Sequence, residues 1–283
     1  MLIRIVKWFY NCIVTTVISI LKKLIIIVAF PKSIKLVPLG MKVVNGPFKG
    51  MGIGFVAWGS AHAAKVIGTY EKELWPIIDE IKAIKFKHFI DIGAEEGYYA
   101  IGLPRLLGGF ERVVAFETSL EARKMLLNNV KKNNLESVVV IKGKCECNNI
   151  SEELTNGKLS LIICDIEGGE NELIDPEKIH ELKNTYILVE THDFIINNVT
   201  KMIAARFLET HHIQKIDLLK RVIADFPASN FISTCLHDWL KLRMMGEGRN
   251  ENMRWLWMKP LPPAKGGTLF GPAPVEGKMP RVG

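Results

Sequence analysis

Several things are scarce in this 283-residue chain, and each scarcity closes off a class of protein. There are only five cysteines (Cys12, Cys145, Cys147, Cys164 and Cys235), an odd and scattered set. A disulfide-stapled scaffold is excluded, and Cys145-x-Cys147 has no second pair to complete a zinc site. No apolar run reaches the ~18 residues of a membrane-spanning helix: Lys22-Lys23 divides the front end into Trp8–Leu21 and Leu24–Phe30. Acidic residues are absent from the first 70 positions. What is plentiful is apolar content, at 48%, which excludes a wholly disordered chain and leaves room for one large domain or two small ones.

The charge is unevenly placed. Nine lysines and arginines precede Glu71, the first acid, whereas the remaining 213 residues carry 28 basic against 30 acidic side chains. In residues 1–30, Lys7, Asn11, Thr15, Ser19 and Lys22 share one helical face, and Leu, Ile, Val, Phe and Trp cover the rest. That pattern suits an amphipathic helix lying on an anionic membrane surface, with residues 1–50 as the contact and a cytoplasmic, peripheral location. Docking on protein and a tilted span remain open. No small-residue cleavage site of a signal peptide follows.

Residues 31–85 read as a β-rich lead-in followed by an amphipathic helix over Glu71–Lys85, with Leu74, Ile77, Ile78, Ile81 and Ile84 on its inner face. Residues 86–259 alternate between strand-like runs (Phe89–Ile92, Val113–Phe116, Val138–Ile141, Leu159–Cys164, Tyr186–Val189) and helical stretches, of which Leu120–Asn133 is the clearest. Alternation of this kind predicts an α/β fold, a parallel sheet covered on both faces, with ligands beyond the carboxyl ends of the strands. Residues 260–283, with six prolines and five glycines, read as a disordered tail. Trp239, Trp255 and Trp257 read as core aromatics.

Four strands deliver acids at their C-terminal ends: Asp91, Glu117, Asp165 with Glu167, and Glu190 with Asp193. Converging carboxylates are costly unless they are hydrogen-bonded, paired or facing a polar ligand, although one or two could serve as helix caps. After Asp91 the chain reads Ile92-Gly93-Ala94-Glu95-Glu96-Gly97, and Gly93 and Gly97 let backbone approach a ligand closely. Spacing G-x-x-x-G with two glutamates makes a poor pyrophosphate cradle. It favours a phosphate-free ligand with a cationic or zwitterionic part. Glu117, 26 residues after Asp91, is placed to accept both hydroxyls of an adenosine ribose.

Taken together, Asp91–Ala100, Ala115-Phe116-Glu117, Asp165–Glu170 and Val189–Asp193 resemble class I S-adenosylmethionine-dependent methyltransferases of the FkbM type. The likeness extends from Gly46–Gly50 through Gly68–Glu71 to Trp255–Pro260. It implies a Rossmann-like, seven-stranded, mostly parallel sheet with an antiparallel last strand, so that Gln214–Ile223 and Met253–Met258 become strands six and seven. It further implies that Gly93 and Gly97 pass beneath the methionine part of S-adenosylmethionine, that Asp91 shapes the loop and that Glu117 holds the ribose. Tyr70 and Glu71 would approach from the lead-in, and Asp165 would face the transferred methyl. Two departures from the family stand out: Glu95 at a position that is usually small, and Gly143-Lys144-Cys145 where an acid contacting adenine is common.

Methyl transfer needs alignment and, for a hydroxyl acceptor, a base. Asp165, Glu190 and His192 are the catalytic candidates, with Glu167, Asp193, His211 and Arg249 on the acceptor side. A divalent metal fits the same oxygen-rich set but is the less favoured reading. The expected activity is O-methylation of a glycan, glycolipid or small metabolite. A nucleic-acid methyltransferase using the basic front end is disfavoured by the many Ile, Leu and Val among its lysines. A non-catalytic cofactor-binding module is the remaining alternative.

Overall fold

The computed structural model describes residues 41–54, 57, 61–227 and 236–262. The expected N-terminal helix (1–30) and nearly all of the Pro/Gly tail lie outside them. The lead-in contributes a short antiparallel pair, β1 (Met41–Lys42) with β2 (Gly52–Ile53). Asn133 joins it to the main domain, its side chain accepting from Gly52 N at 2.9 Å and donating to Gly52 O at 2.8 Å. Helix α1 (His62–Ile67) follows and ends at Gly68 in the left-handed region. The helix expected over 71–85 divides into a 3-10 turn, Lys72–Leu74, and α2 (Trp75–Ala83), whose Pro76 sits where a first-turn N–H has no helical partner.

From there strands and helices alternate: β3 (His88–Ile92), α3 (Tyr98–Leu107), β4 (Arg112–Phe116), α4 (Leu120–Lys132), β5 (Val139–Lys142), α5 (Cys147–Leu154), β6 (Ser160–Cys164), α6 (Glu170–Leu173), β7 (Tyr186–His192), α7 (Val199–Phe207), β8 (His211–Asp217), α8 (Asp238–Met245) and β9 (Met253–Pro260). The seven-stranded sheet runs β5-β4-β3-β6-β7-β9-β8. Strands β3 to β7 are parallel; β9 is antiparallel to both neighbours. This is the Rossmann-like class I methyltransferase fold. The sixth strand is a correction: it spans His211–Asp217 rather than Gln214–Ile223, and Ile223–Asp225 forms a 3-10 turn.

Strands β3 and β6 are buried along their whole length because helices cover both faces. On one face Ile77, Ile81, Ile101, Leu126 and Val130 pack with Phe89, Val113 and Trp257. On the other, Ile150, Leu173, Ile203 and Phe207 pack with Ile90, Val114, Ile162 and Val189. Trp255 and Trp257 are core residues, as expected, but Trp239 is 59% exposed because it projects from α8, whose inner side is Leu240, Met244 and Met245 against Ile67. Among the described residues no helix is long and apolar enough to cross a membrane.

Candidate functional site

The chain order reverses between β3 and β6: from β3 it steps outward through β4 and β5, then returns to β6 on the other side. A crevice opens at such a switch point, outside the carboxyl ends of the strands. Here it is a cavity of about 760 Å³ lined by Gly93, Glu95, Glu117, Asp165 and Glu167 among others, and walled by the segment Gly143–Asn148. That size suits a small-molecule ligand.

The glycine loop is built by contacts no side chain could tolerate. Gly93 has φ +86°, and a Cβ there would lie 1.7 Å from the Asp165 carbonyl oxygen. Its N–H and that of Ala94 both donate to Phe116 O at 2.9 Å, tying the bend to β4. Gly97, at φ +93°, opens α3; its missing Cβ leaves room for Leu126 and Ile101.

Glu117 leaves the next strand beside this loop. One carboxylate oxygen accepts from Glu95 N at 3.0 Å and the other from Ser119 N at 2.7 Å. The oxygen facing Ser119 also accepts from the Thr118 hydroxyl at 3.4 Å, and the one facing Glu95 keeps a further lone pair. Asp91 is buried at the base of the loop, where burial pushes its carboxyl up to about 8 despite a backbone hydrogen bond from Ala100. Asp91 and Glu117 thus stand at the carboxyl ends of the neighbouring strands β3 and β4, Glu117 on the large cavity and Asp91 outside its lining.

The two loop glutamates are not bare. Lys65 Nζ, on a fully buried side chain, donates to Glu95 at 2.9 Å and Glu96 at 2.6 Å. Lys65 also lies 4.8 Å from the Tyr70 ring centroid. A second void of about 20 Å³, room for a single water, is enclosed by Lys65, Tyr70, Asp91, Tyr99 and Asp165 and shares Gly93 with the larger cavity.

On the β6–β7 side, Asp165, Glu190 and His192 come together. His192 Nε2 is 3.7 Å from both Asp165 Oδ1 and Glu190 Oε2. Its Nδ1 pairs at 2.7 Å with Glu170, whose carboxylate also accepts from Gly168 N and Ile166 N. Burial alone would lower the His192 pKa, but the hydrogen bond and charge of Glu170, with Asp165 and Glu167 beyond, raise it. Burial likewise lifts Asp165 to about 6 against the pull of His192 and Arg249.

A third group faces this one. Arg249, in the loop before β9, pairs with Glu190, lies 2.7 Å from Glu73 and reaches Glu71 and Glu247 at 3.7 and 3.8 Å. Arg221 bridges Glu73 and Glu247 at 2.9 and 2.6 Å. Glu71, held at φ +46°, also accepts from the Tyr99 hydroxyl. The hub joins the lead-in to the C-terminal segment over the strand ends.

Two expected residues fall elsewhere. His211 begins β8 at the opposite edge of the sheet, where its register partner is Pro260; it is buried between Thr210 and the Thr185 carbonyl. Asp193 faces away from the rim, accepting from Thr200 N and Oγ1 and thereby capping the start of α7. Glu167, exposed and at φ +50°, lines the large cavity. Sequence reasoning had no role for Lys65, Glu73, Glu170 or Arg221. A lysine within the apolar run Ala63-Ala64-Lys65-Val66-Ile67 was the available signal for the first.

No family model matches the chain, and no curated protein matches it. Among solved structures it is similar to one described as a putative rRNA-methylase from Clostridium thermocellum (13% identity, 67% of this chain and 96% of that one, TM-score 0.47). An O-methyltransferase from Bacillus cereus in complex with SAH is 19% identical over 50% of this chain and 72% of that one (TM-score 0.38). The methyltransferase FkbM from Methylobacillus flagellatus KT is 17% identical over 48% and 41% (TM-score 0.39). Likeness at this level concerns the fold alone.

Proposed function

We propose that the chain is an S-adenosylmethionine-dependent methyltransferase of the FkbM type, acting on a hydroxyl of a glycan, glycolipid or small metabolite. The observation that carries this reading is the shared rim: a glycine bend that excludes any Cβ, with Glu117 beside it, opening on a cavity of about 760 Å³. Bound S-adenosylmethionine would supply an electrophilic methyl on a sulfonium. Glu117 would accept the ribose hydroxyls, Gly93 and Gly97 would admit the methionine part, and Asp91 would hold the loop. The adenine end would meet Gly143–Asn148, where Glu146 supplies a carboxylate one residue beyond the Gly143-Lys144-Cys145 departure.

Tyr70, Glu71 and Arg249 would approach from the lead-in and the loop before β9, and the acceptor would enter from the Glu167 side of the large cavity. Asp165, on the cavity wall with the buried Glu190 and His192 behind it, would take the acceptor's proton, since a base with a pKa displaced toward neutrality works best. The basic, apolar front end would hold the enzyme at an anionic membrane surface where lipid-linked acceptors lie; vesicle sedimentation with and without residues 1–30 tests that part.

Calorimetry with S-adenosylmethionine tests the core of the proposal. Tight binding is expected, and Glu117→Ala should weaken it by ~1–3 kcal/mol, the range for losing a charged hydrogen-bond partner. Unchanged affinity would remove the ribose assignment. Transfer from methyl-labelled cofactor into cell extract, read by mass spectrometry, then identifies the acceptor.

A further inference from the structure

We propose that the outer face of α4, with the β1–β2 pair and the end of α3 beside it, is a docking surface for an anionic lipid bilayer. Leu120, Lys124, Leu127 and Lys131 recur at i, i+4, i+7 and i+11, which puts them in one stripe along α4. The buried residues Ala122, Leu126, Asn129 and Val130 lie on the other side of the helix. Both lysines of the stripe are exposed, and Leu120 and Leu127 are 52% and 44% exposed. On a membrane interface such leucines sink toward the acyl chains while the lysine stems let their ammonium groups reach headgroup phosphates.

The lead-in widens the same face. Gly52 sits so close to the end of α4 that a Cβ on it would lie 3.4 Å from Lys132 Cβ, and Gly52 is the cross-strand partner of Lys42. Residues directly opposite in an antiparallel pair project to the same side, so Lys42 leaves β1 toward Lys132. In the turn between β1 and β2, Lys49 adjoins Gly50, and the Arg105 guanidinium lies against that glycine. Among the described residues none of these six basic side chains has a carboxylate within 4.0 Å, whereas Lys87, Lys142, Lys158 and Lys259 are each paired. Glu121 and Glu136 flank the stripe in the chain without pairing with it. The 40 residues that join this face at Met41 add six basic residues, no acid, and long runs of Ile, Leu and Val. Charge and apolar character therefore run on from the front end to the folded domain. The apolar side chains decide the partner: a bilayer has a place for them, a nucleic-acid backbone does not, and a second copy would set lysine against lysine.

This extends the membrane reading of the front end to the folded domain, and the test separates the two. Full-length protein is sedimented with phosphatidylcholine vesicles, with and without phosphatidylglycerol. S-adenosylmethionine is left out, so the outcome is independent of cofactor binding. The anionic vesicles should carry the protein down, and less of it as salt rises. Lys124→Gln with Lys131→Gln should lower the partition coefficient roughly 25-fold, about fivefold for each lysine withdrawn from the membrane surface. Leu127→Gln should lower it further without changing the salt dependence. Lys178→Gln with Lys201→Gln makes the same change of charge on exposed positions next to Ile179 and Ile203, on the opposite face of the sheet, and should leave it unchanged. Thermal melting shows that each variant is folded. If the α4 variant sediments like the parent, the front end alone holds the bilayer and the proposal fails. It fails equally if anionic vesicles do not bind, or if the control variant loses as much. An RNA duplex is titrated in parallel; loss of its binding, with vesicle binding intact, on the α4 substitutions would assign the face to nucleic acid and overturn the proposal.

Discussion

Gly93→Ala is the sharpest perturbation the site offers. Its φ of +86° lies where an alanine costs roughly 1–2 kcal/mol, and the new Cβ would lie 1.7 Å from the Asp165 carbonyl oxygen. That oxygen belongs to backbone at the end of β6, so it cannot swing aside as a side chain would. Restoring ordinary contact requires a shift of roughly 1.5 Å, which endangers the Asp165 N to Ile92 O hydrogen bond of 2.9 Å, worth about 1 kcal/mol. The total loss should be roughly 3–5 kcal/mol, at the top of the range for single substitutions. Urea unfolding of the two proteins measures it directly. Gly143→Ala is the control, since its Cβ would meet nothing within 4 Å; it should change stability by less than about 0.5 kcal/mol. S-adenosylmethionine binding should fail in the Gly93 variant even where it stays folded. A Gly93→Ala protein within about 1 kcal/mol of the parent would refute the close packing of this loop against β6.

Other outcomes follow from charges outside the cavity floor. Lys65→Met removes the buried ammonium that pairs with Glu95 and Glu96 and should cost about 3–5 kcal/mol by thermal melting, with adding Glu96→Gln restoring part of it. Arg249→Gln should destabilise comparably by leaving Glu190 uncompensated, and the melting temperature checks this. Glu153, held by a bidentate pair with Arg112 and by Lys142 at 2.8 Å, has its pKa depressed from 4.5 to about 2. Its stabilisation is present above about pH 4.5 and lost as the pH falls toward 2. Because Arg112 and Lys142 are partly exposed, screening limits it to about 1–2 kcal/mol, and Glu153→Gln should flatten acid unfolding over that window.

The sheet was legible because buried parallel strands leave continuous apolar runs, and five were located to within a few residues. Strand β8 was displaced because its alternating burial, with half its residues wet, carries no such run. At the site, the acids and glycines were readable because each follows directly from the end of a strand. Their partners were not: Lys65 reaches Glu96 across 31 residues, and Arg249 reaches Glu73 across 176. His211 misled because two adjacent histidines look chemical in a string of letters. Only strand direction reveals that β8 starts at the far edge from the rim. Trp239 misled for a related reason, since nothing local separates a helix's outer side from its inner one when its apolar residues are spread around it.

The last strand to be synthesised among those described, β9, occupies an interior slot between β7 and β8. During translation β8 therefore has no neighbour to pair with until the segment around Met253–Pro260 emerges. Arg249 arrives with that same segment, so until then Glu190 lacks its arginine and Glu73 has Arg221 alone. The acid–arginine hub thus matures in one late step, in which insertion of β9 completes the sheet and brings Arg249 to Glu190, whereas the residues lining the large cavity all lie between Ile92 and Leu173.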